Sequence, residues 1–212
     1  FGVGSKVGVM IDNVSIITGE AGKPDWNLVP IENLKHVEII KGPSSVLTGA
    51  NAMNGAIFFN TQYAGLKPET KIQVFAGGFT DPQYPEMKWW NGFSAISGVS
   101  FLHSRKFGNQ KSNDIVISGV VSLSKSYIGP PLQTVSTLDT TIISEDDMKN
   151  QKFRLNVNYK HRSNKVKGLS YGINGNIMRN NHSLVMAWYD DSTNFFRGYP
   201  GTVFIRKQTS FY

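Results

Sequence analysis

From residue 70 onward the chain is written in strand-length runs whose apolar and polar side chains alternate. Residues 152–162 are the cleanest case. Phe153, Leu155, Val157 and Tyr159 share one face; Arg154, Asn156, Asn158 and Lys160 share the other. Successive side chains of a strand point to opposite sides, so this run has one apolar and one strongly polar surface. Leu169, Tyr171, Ile173 and Ile177 alternate in the same way against Ser170, Gly172, Asn174 and Asn176. Ile115, Ile117, Val121 and Leu123 alternate against Ser118, Ser122 and Ser124, with Val116 and Val120 as exceptions. Ile72, Val74 and Ala76 begin the series, residues 99–105 are a noisier member, and residues 202–205 start a sixth. Such a pattern has two physical solutions. A soluble sheet packs its apolar face on a core and wets the polar one. A membrane barrel turns the apolar face to lipid and the polar face to a lumen. Alternation alone does not separate them.

The connections add a second pattern. Residues 107–113 and 163–166 make short links; residues 79–93 and 127–150 make long ones. Residues 183–189 can prolong the fifth strand, leaving residues 190–201 as a third long loop. Outer-membrane barrels have short periplasmic turns and longer extracellular loops. The order here fits a first strand that runs outward from a hinge at residues 62–70, marked by Gly65 and Pro68.

The first 65 residues have a different texture. Residues 37–61 read VEIIKGPSSVLTGANAMNGAIFFNT. An apolar strand runs into Lys41-Gly42-Pro43, a small-residue turn and short helical segment follow, and a second strand closes the unit at Ala56-Ile57-Phe58-Phe59. Glycine opens backbone angles closed to other residues and proline fixes its own, so the segment specifies one compact geometry. It resembles the end of the plug domain of TonB-dependent outer-membrane receptors, I-E-x-[IV]-x-[KR]-G-P-x-S-x-L-[YF]-G-x-x-A-x-G-G-x-I-N-I-x-T. Upstream, Val7-Gly8-Val9-Met10-Ile11-Asp12-Asn13-Val14 resembles that family's V-x-V-[LM]-I-D-G-V strand, and Val29-Pro30-Ile31-Glu32-Asn33-Leu34 its I-P-x-x-x-I segment. Departures are Thr48 in place of an aromatic, Asn13 and Asn54 in place of glycine, and Phe58-Phe59 in place of a polar residue. Asn tolerates left-handed angles better than other non-glycine residues.

The resemblance implies a mostly β protein: an α+β plug domain (residues 1–66) inside a transmembrane antiparallel β-barrel that begins at residues 67–212. A family barrel has about 22 strands around a filled lumen, of which roughly the first six are expected here. It implies active import of a scarce solute (siderophore, cobalamin or glycan) across the outer membrane of a Gram-negative bacterium, with energy from TonB and no enzymatic step. The chain starts at Phe1, inside the first plug block and without a leader, which reads as a fragment. The TonB-contacting segment is accordingly expected upstream of Phe1. Some family members pair with a surface lipoprotein and carry L-K-D-A at the plug ending. Lys41-Gly42-Pro43 is nearer the siderophore and cobalamin type, which weighs against a lipoprotein partner without removing it.

Composition bounds the alternatives. No run of 18 apolar residues is present, which excludes a transmembrane helix but not barrel strands. With no Cys there are no disulfides and no thiolate metal sites. The net charge of +7 comes from scattered Lys and Arg, with one cluster at residues 160–167. That cluster reads as a solvated turn, or as basic side chains reaching toward a membrane interface. Nothing beyond bulk charge suggests nucleic acid. Gly168-Leu169-Ser170-Tyr171-Gly172 matches the G-x-S-x-G of hydrolase elbows but lies inside a strand pattern, where the motif needs a strand, a sharp turn and a helix. Gly2-Val3-Gly4-Ser5-Lys6-Val7-Gly8 satisfies neither glycine-rich phosphate fingerprint. His36, His103, His161 and His182 have no metal-ligand spacing. The carboxylates at residues 145–147 and 190–191 lack the spacing of a calcium loop. No metal and no cofactor are expected.

Two groups of residues are candidates for solute binding. The family places residues 15–27 at the outward apex of the plug, where Thr18, Glu20, Lys23, Asp25 and Trp26 supply polar and stacking groups. Trp89 and Trp90, with Tyr84 nearby, fall in the first long loop; Trp188, Tyr189, Phe195 and Phe196 lie by the third. These aromatics fit an interfacial girdle first and a ligand platform second. Lys41 matches the basic residue that in the family pairs with barrel carboxylates and seats the plug. The runner-up reading is a soluble or surface-attached all-β module that binds carbohydrate through its aromatics.

Overall fold

The computed structural model describes residues 7–16, 24–42, 52–83, 85, 88, 92–125, 149–185, 188–190, 196–198 and 203–211. Two sheets dominate it. The first has four strands in the order β2-β1-β4-β3: β1 Val7–Ile11, β2 Val14–Ser15, β3 Leu34–Lys41 and β4 Gly55–Thr61. β1 runs parallel to β4, and β3 runs antiparallel to it. Ile11 pairs with Val14, so Asp12 and Asn13 form a two-residue hairpin turn. Both have positive φ, 47° and 71°. That is the geometry of the hairpin turn that suits strand twist and favours Asn and Asp. Asn13 thus fills a left-handed position, whereas Asn54 does not; the positive angle there belongs to Gly55 at 141°. A Cβ on Gly55 would stand 2.5 Å from the Ile40 carbonyl oxygen, so β3 and β4 meet only because that position is bare.

The second sheet is an antiparallel meander with β12 placed beside β9, in the order β12-β9-β8-β7-β6-β5. Its strands are β5 Glu69–Phe79, β6 Ser94–Phe107, β7 Asn113–Lys125, β8 Lys149–Arg162, β9 Ser170–Val185 and β12 Val203–Phe211. A small hairpin of β10 Trp188–Asp190 and β11 Phe196–Gly198 lies between β9 and β12 in the chain. All six expected strands are present. The strand expected from residues 99–105 is longer, because Ser94 to Phe107 pair continuously with β5 or β7. The hinge is shorter than expected, since β5 already starts at Glu69. Ser170 opens β9, so the G-x-S-x-G match sits at a turn-to-strand junction. The helical segment expected after Pro43 falls largely on residues 43–51, outside the described residues.

The large sheet settles which way its alternating faces point. Arg154, Asn156 and Asn158 are buried, Arg154 to 2% exposure, while Phe153 on the opposite face is 44% exposed. The same inversion runs through its neighbours. Ser118, Asn176 and Asn180 are buried; Val121, Leu123 and Ile177 are exposed, as is Ile173 at 73%. A soluble sheet would do the reverse. The polar side is covered by the small sheet and its connections. Val116, an exception in the sequence pattern, belongs to this covered side, where it forms a cluster with Leu102 and Ala64 of the linker after β4. Among the described residues no helix is long and apolar enough to cross a membrane, which says nothing of strands.

Candidate functional site

The small sheet is seated on the large one through a buried polar site. Two short 3-10 turns bring the small sheet to it, Trp26–Leu28 and Ile31–Asn33. Pro30 between them supplies no backbone N–H and has its φ fixed by its ring. The second turn presents Glu32. Arg154 of β8 donates through Nη2 to Glu32 Oε2 at 2.5 Å and through Nη1 to the Asn27 carbonyl oxygen at 2.7 Å. Asn156, two residues along the same face, donates to Glu32 Oε1 at 3.1 Å and to Ser118 Oγ at 3.4 Å. Asn176 of β9 donates in turn to Asn156 Oδ1. Ser118, Asn156 and Asn176 are register partners across β7, β8 and β9, so the chain of bonds crosses three strands in one row. Charge-assisted bonds of this kind are shorter and stronger than neutral ones.

A second knot lies one step along. The Asp12 carboxylate accepts from Thr61 N at 2.9 Å and Thr61 Oγ1 at 2.6 Å, tying the β1–β2 turn to the end of β4. From the large sheet, Asn158 donates to Thr61 Oγ1 at 2.7 Å and Asn174 to Asp12 Oδ2 at 3.2 Å. The apolar counterpart is Met178 of β9, which is buried in one cluster with Val9 and Ile11 of the small sheet and Ile16, Leu28 and Val29 of its connections.

Of the expected site residues, Asp25 and Trp26 are described and lie together at this seat. Asp25 is buried; its Oδ1 accepts from Asn27 N at 3.1 Å, and its Oδ2 accepts from Gln208 Nε2 of β12. Trp26 is 55% exposed and meets Phe59 edge-on, ring centroids 6.3 Å apart. That contact accounts for an aromatic at position 59. Lys41 is exposed at the end of β3 and takes no part in the bonds described above. Thr18, Glu20, Lys23, Trp89 and Trp90 lie outside the described residues. Sequence reasoning missed Asp12, Glu32, Thr61 and the Arg154 row as seating groups. The signal was the unbroken polar face of residues 154–160, which a water-facing surface would equally produce.

Beside the seat, a cavity of about 350 Å³ opens between Asn27 and the inner face of β6 to β9. Lys152, Asn180 and His182 supply its basic and amide groups. Lys152 Nζ donates to Asn27 Oδ1 at 3.4 Å. The cavity lies toward the end of the sheet where β6 begins, β7 ends and β8 begins, the end served by the long connections. No cluster of acidic or His side chains that could hold a metal occurs among the described residues.

Residues 1–56 match the family described as TonB-dependent Receptor Plug Domain. These residues are similar to the plug of TonB-dependent receptors, and the match covers about a quarter of the chain. The matched residues contain β1, β2, β3 and both 3-10 turns, so the plug-like part is the small sheet, and the large sheet is the wall against which it rests. Over 76 residues the chain is 32% identical to the vitamin B12 transporter BtuB of Photobacterium profundum, 36% of this chain and 12% of the relative. Over 114 residues it is 23% identical to the vitamin B12 transporter BtuB of Vibrio vulnificus, 52% of this chain and 18% of the relative. The chain therefore spans less than a fifth of the length of these curated relatives. A mutant ferric enterobactin receptor (PfeA) from Pseudomonas aeruginosa superposes with a TM-score of 0.57 at 14% identity, covering 84% of this chain and 25% of that one. At that identity the likeness shows the fold.

Proposed function

We propose that this chain forms the plug (residues 1–66) and the first barrel strands (residues 67–212) of an outer-membrane import receptor of a Gram-negative bacterium. The barrel in full would have about 22 strands closed around the plug. The observation that carries this reading is the inverted polarity of the large sheet: buried amides and Arg154 grip the plug while Phe153, Val157 and Ile173 face outward. Lipid on that outward face would complete the hydrophobic balance. The apolar exposure weighs against the soluble module.

The solute would bind between the plug apex and the wall, in the cavity lined by Asn27, Lys152, Asn180 and His182. Trp26, next to Asn27 in the chain, is proposed to stack on it, and Thr18, Glu20, Lys23, Trp89 and Trp90 to complete the site. Asp25, buried against Gln208, suits plug seating better than solute contact. Lys41 is proposed to seat the plug against another part of the barrel. The relatives carry cobalamin and ferric enterobactin by name, and a basic cavity suits an anionic ferric chelate or a corrinoid phosphate. Import needs no covalent step, only a plug whose seated and released states differ in affinity for solute and for TonB.

Deletion of the gene should abolish growth on one limiting source among ferric siderophore, cobalamin and glycan, with binding of the same solute by the purified receptor. Unchanged growth on all three, with no binding, would overturn the import reading.

A further inference from the structure

The short-turn end of the wall carries the whole net charge of the chain. Residues 67–71, 103–114 and 160–167 hold nine of the 22 Lys and Arg and two of the 15 Asp and Glu, so they carry +7; the remaining 13 basic and 13 acidic residues cancel. The fold gathers these segments at one end. Lys111 Nζ donates to the Leu66 carbonyl oxygen at 3.4 Å, Asn164 Nδ2 to the Asn109 carbonyl oxygen at 3.4 Å, and Arg162 N to the Ser112 carbonyl oxygen at 2.8 Å. The two carboxylates are already taken. Glu69 pairs with Lys71 at 2.8 Å, and Asp114 with Arg162 at 2.6 Å and Lys106 at 3.9 Å. Among the described residues, no carboxylate lies in ion-pair range of Lys67, Arg105, Lys165 or Lys167, and all four are exposed.

Arg105 decides what such an end can bind. It lies on the outward face of β6, in line with Val99, Phe101 and Phe107, which are exposed. Ile173 and Tyr171 stand at the same level on β9 and are exposed too. The cations therefore rim an apolar surface. A ligand matched to both presents a negative phosphate directly beside acyl chains. We propose that this end binds the headgroups of anionic phospholipids in the adjoining leaflet, a reading that rests on the membrane placement proposed above. Lys and Arg at such a rim extend their stems along the apolar band and place their charge at headgroup level.

The test uses the receptor that carries this chain, purified from outer membranes and stripped of lipid. Dioleoylphosphatidylglycerol and dioleoylphosphatidylethanolamine are added in equal amounts, and retained lipid is counted by native mass spectrometry. The wild type should favour the glycerol lipid, and each of R105Q, K165Q and K167Q should lower that preference by up to about fivefold at low salt. R105K, K165R and K167R should keep it. An integral receptor whose preference survives the triple Gln variant would overturn the proposal. So would equal displacement by inorganic phosphate, which would make the end a soluble-anion site. Extraction of the protein from membranes by carbonate, by contrast, would sink the membrane placement itself.

Discussion

Arg154 on the wall and Glu32 on the plug meet at 2.5 Å with almost no exposure of either side chain. A buried pair of this kind is weak evidence of net stabilisation, because both ions have left water. Its loss on one side only is costly, since a bare charge remains. Glu32→Gln or Arg154→Met alone should loosen the plug by about 3–5 kcal/mol. The double variant Glu32→Leu/Arg154→Met should recover much of that. Hydrogen exchange of residues 26–41 in the receptor, read against urea, measures both. A double variant as damaged as the sum of the singles would refute the pairing.

Gly55 and Gly42 make a controlled comparison. Both have positive φ, but a Cβ at Gly55 meets the Ile40 carbonyl oxygen while one at Gly42 meets nothing within 4 Å. Gly42→Ala should cost about 1 kcal/mol from its backbone angle alone. Gly55→Ala combines strain of roughly 1–3 kcal/mol with the clash and should break the β3–β4 pairing. Limited proteolysis of the plug in the two variants should rank them in that order.

Val121 lies at the outward centre of the sheet, in register with Val99 and Phe153. If this face meets lipid, Val121→Arg should lower the stability of the receptor in vesicles by about 2–4 kcal/mol. Val121→Leu should be near neutral. Heat-modifiable gel migration and urea titration in lipid report the difference; an Arg tolerated without cost would place water, not lipid, on that face.

Trp26 and Asp25 are neighbours with separable tasks. Trp26→Ala should weaken solute binding by roughly fivefold, the scale of one lost aromatic contact, with plug exchange protection unchanged. Asp25→Asn, which keeps the shape but weakens the bonds to Asn27 and Gln208, should act first on protection. Calorimetry of binding beside hydrogen exchange separates the two. Equal effects of both variants on both readings would remove the distinction.

The strands and their end-to-end order were legible because period-two alternation survives in β7, β8 and β9, where one face carries the buried amides and the other is exposed among the described residues. The direction of those faces was not. Phe153 and Arg154 alternate identically whether the apolar side faces a core or a membrane, and only the position of a second sheet decides. Val116 looked like noise for the same reason: its partner, Ala64, lies in the linker. Asp25 and Trp26 were singled out by resemblance as solute contacts; in the fold Asp25 is buried against Gln208, and Trp26 is exposed beside Phe59. Glu32 was not singled out, because a lone carboxylate before β3 reads as a solvated turn until Arg154, far along the chain, is brought onto it.

Met178 of the large sheet completes the interior of the small one. Lifting the small sheet would uncover Val9 and Ile11 to water along with it, so displacement costs free energy in proportion to the apolar area exposed, and that cost is recovered when the two sheets meet again. The proposed receptor would then carry its own latch. It is made of no moving part, only of an interior shared between two sheets.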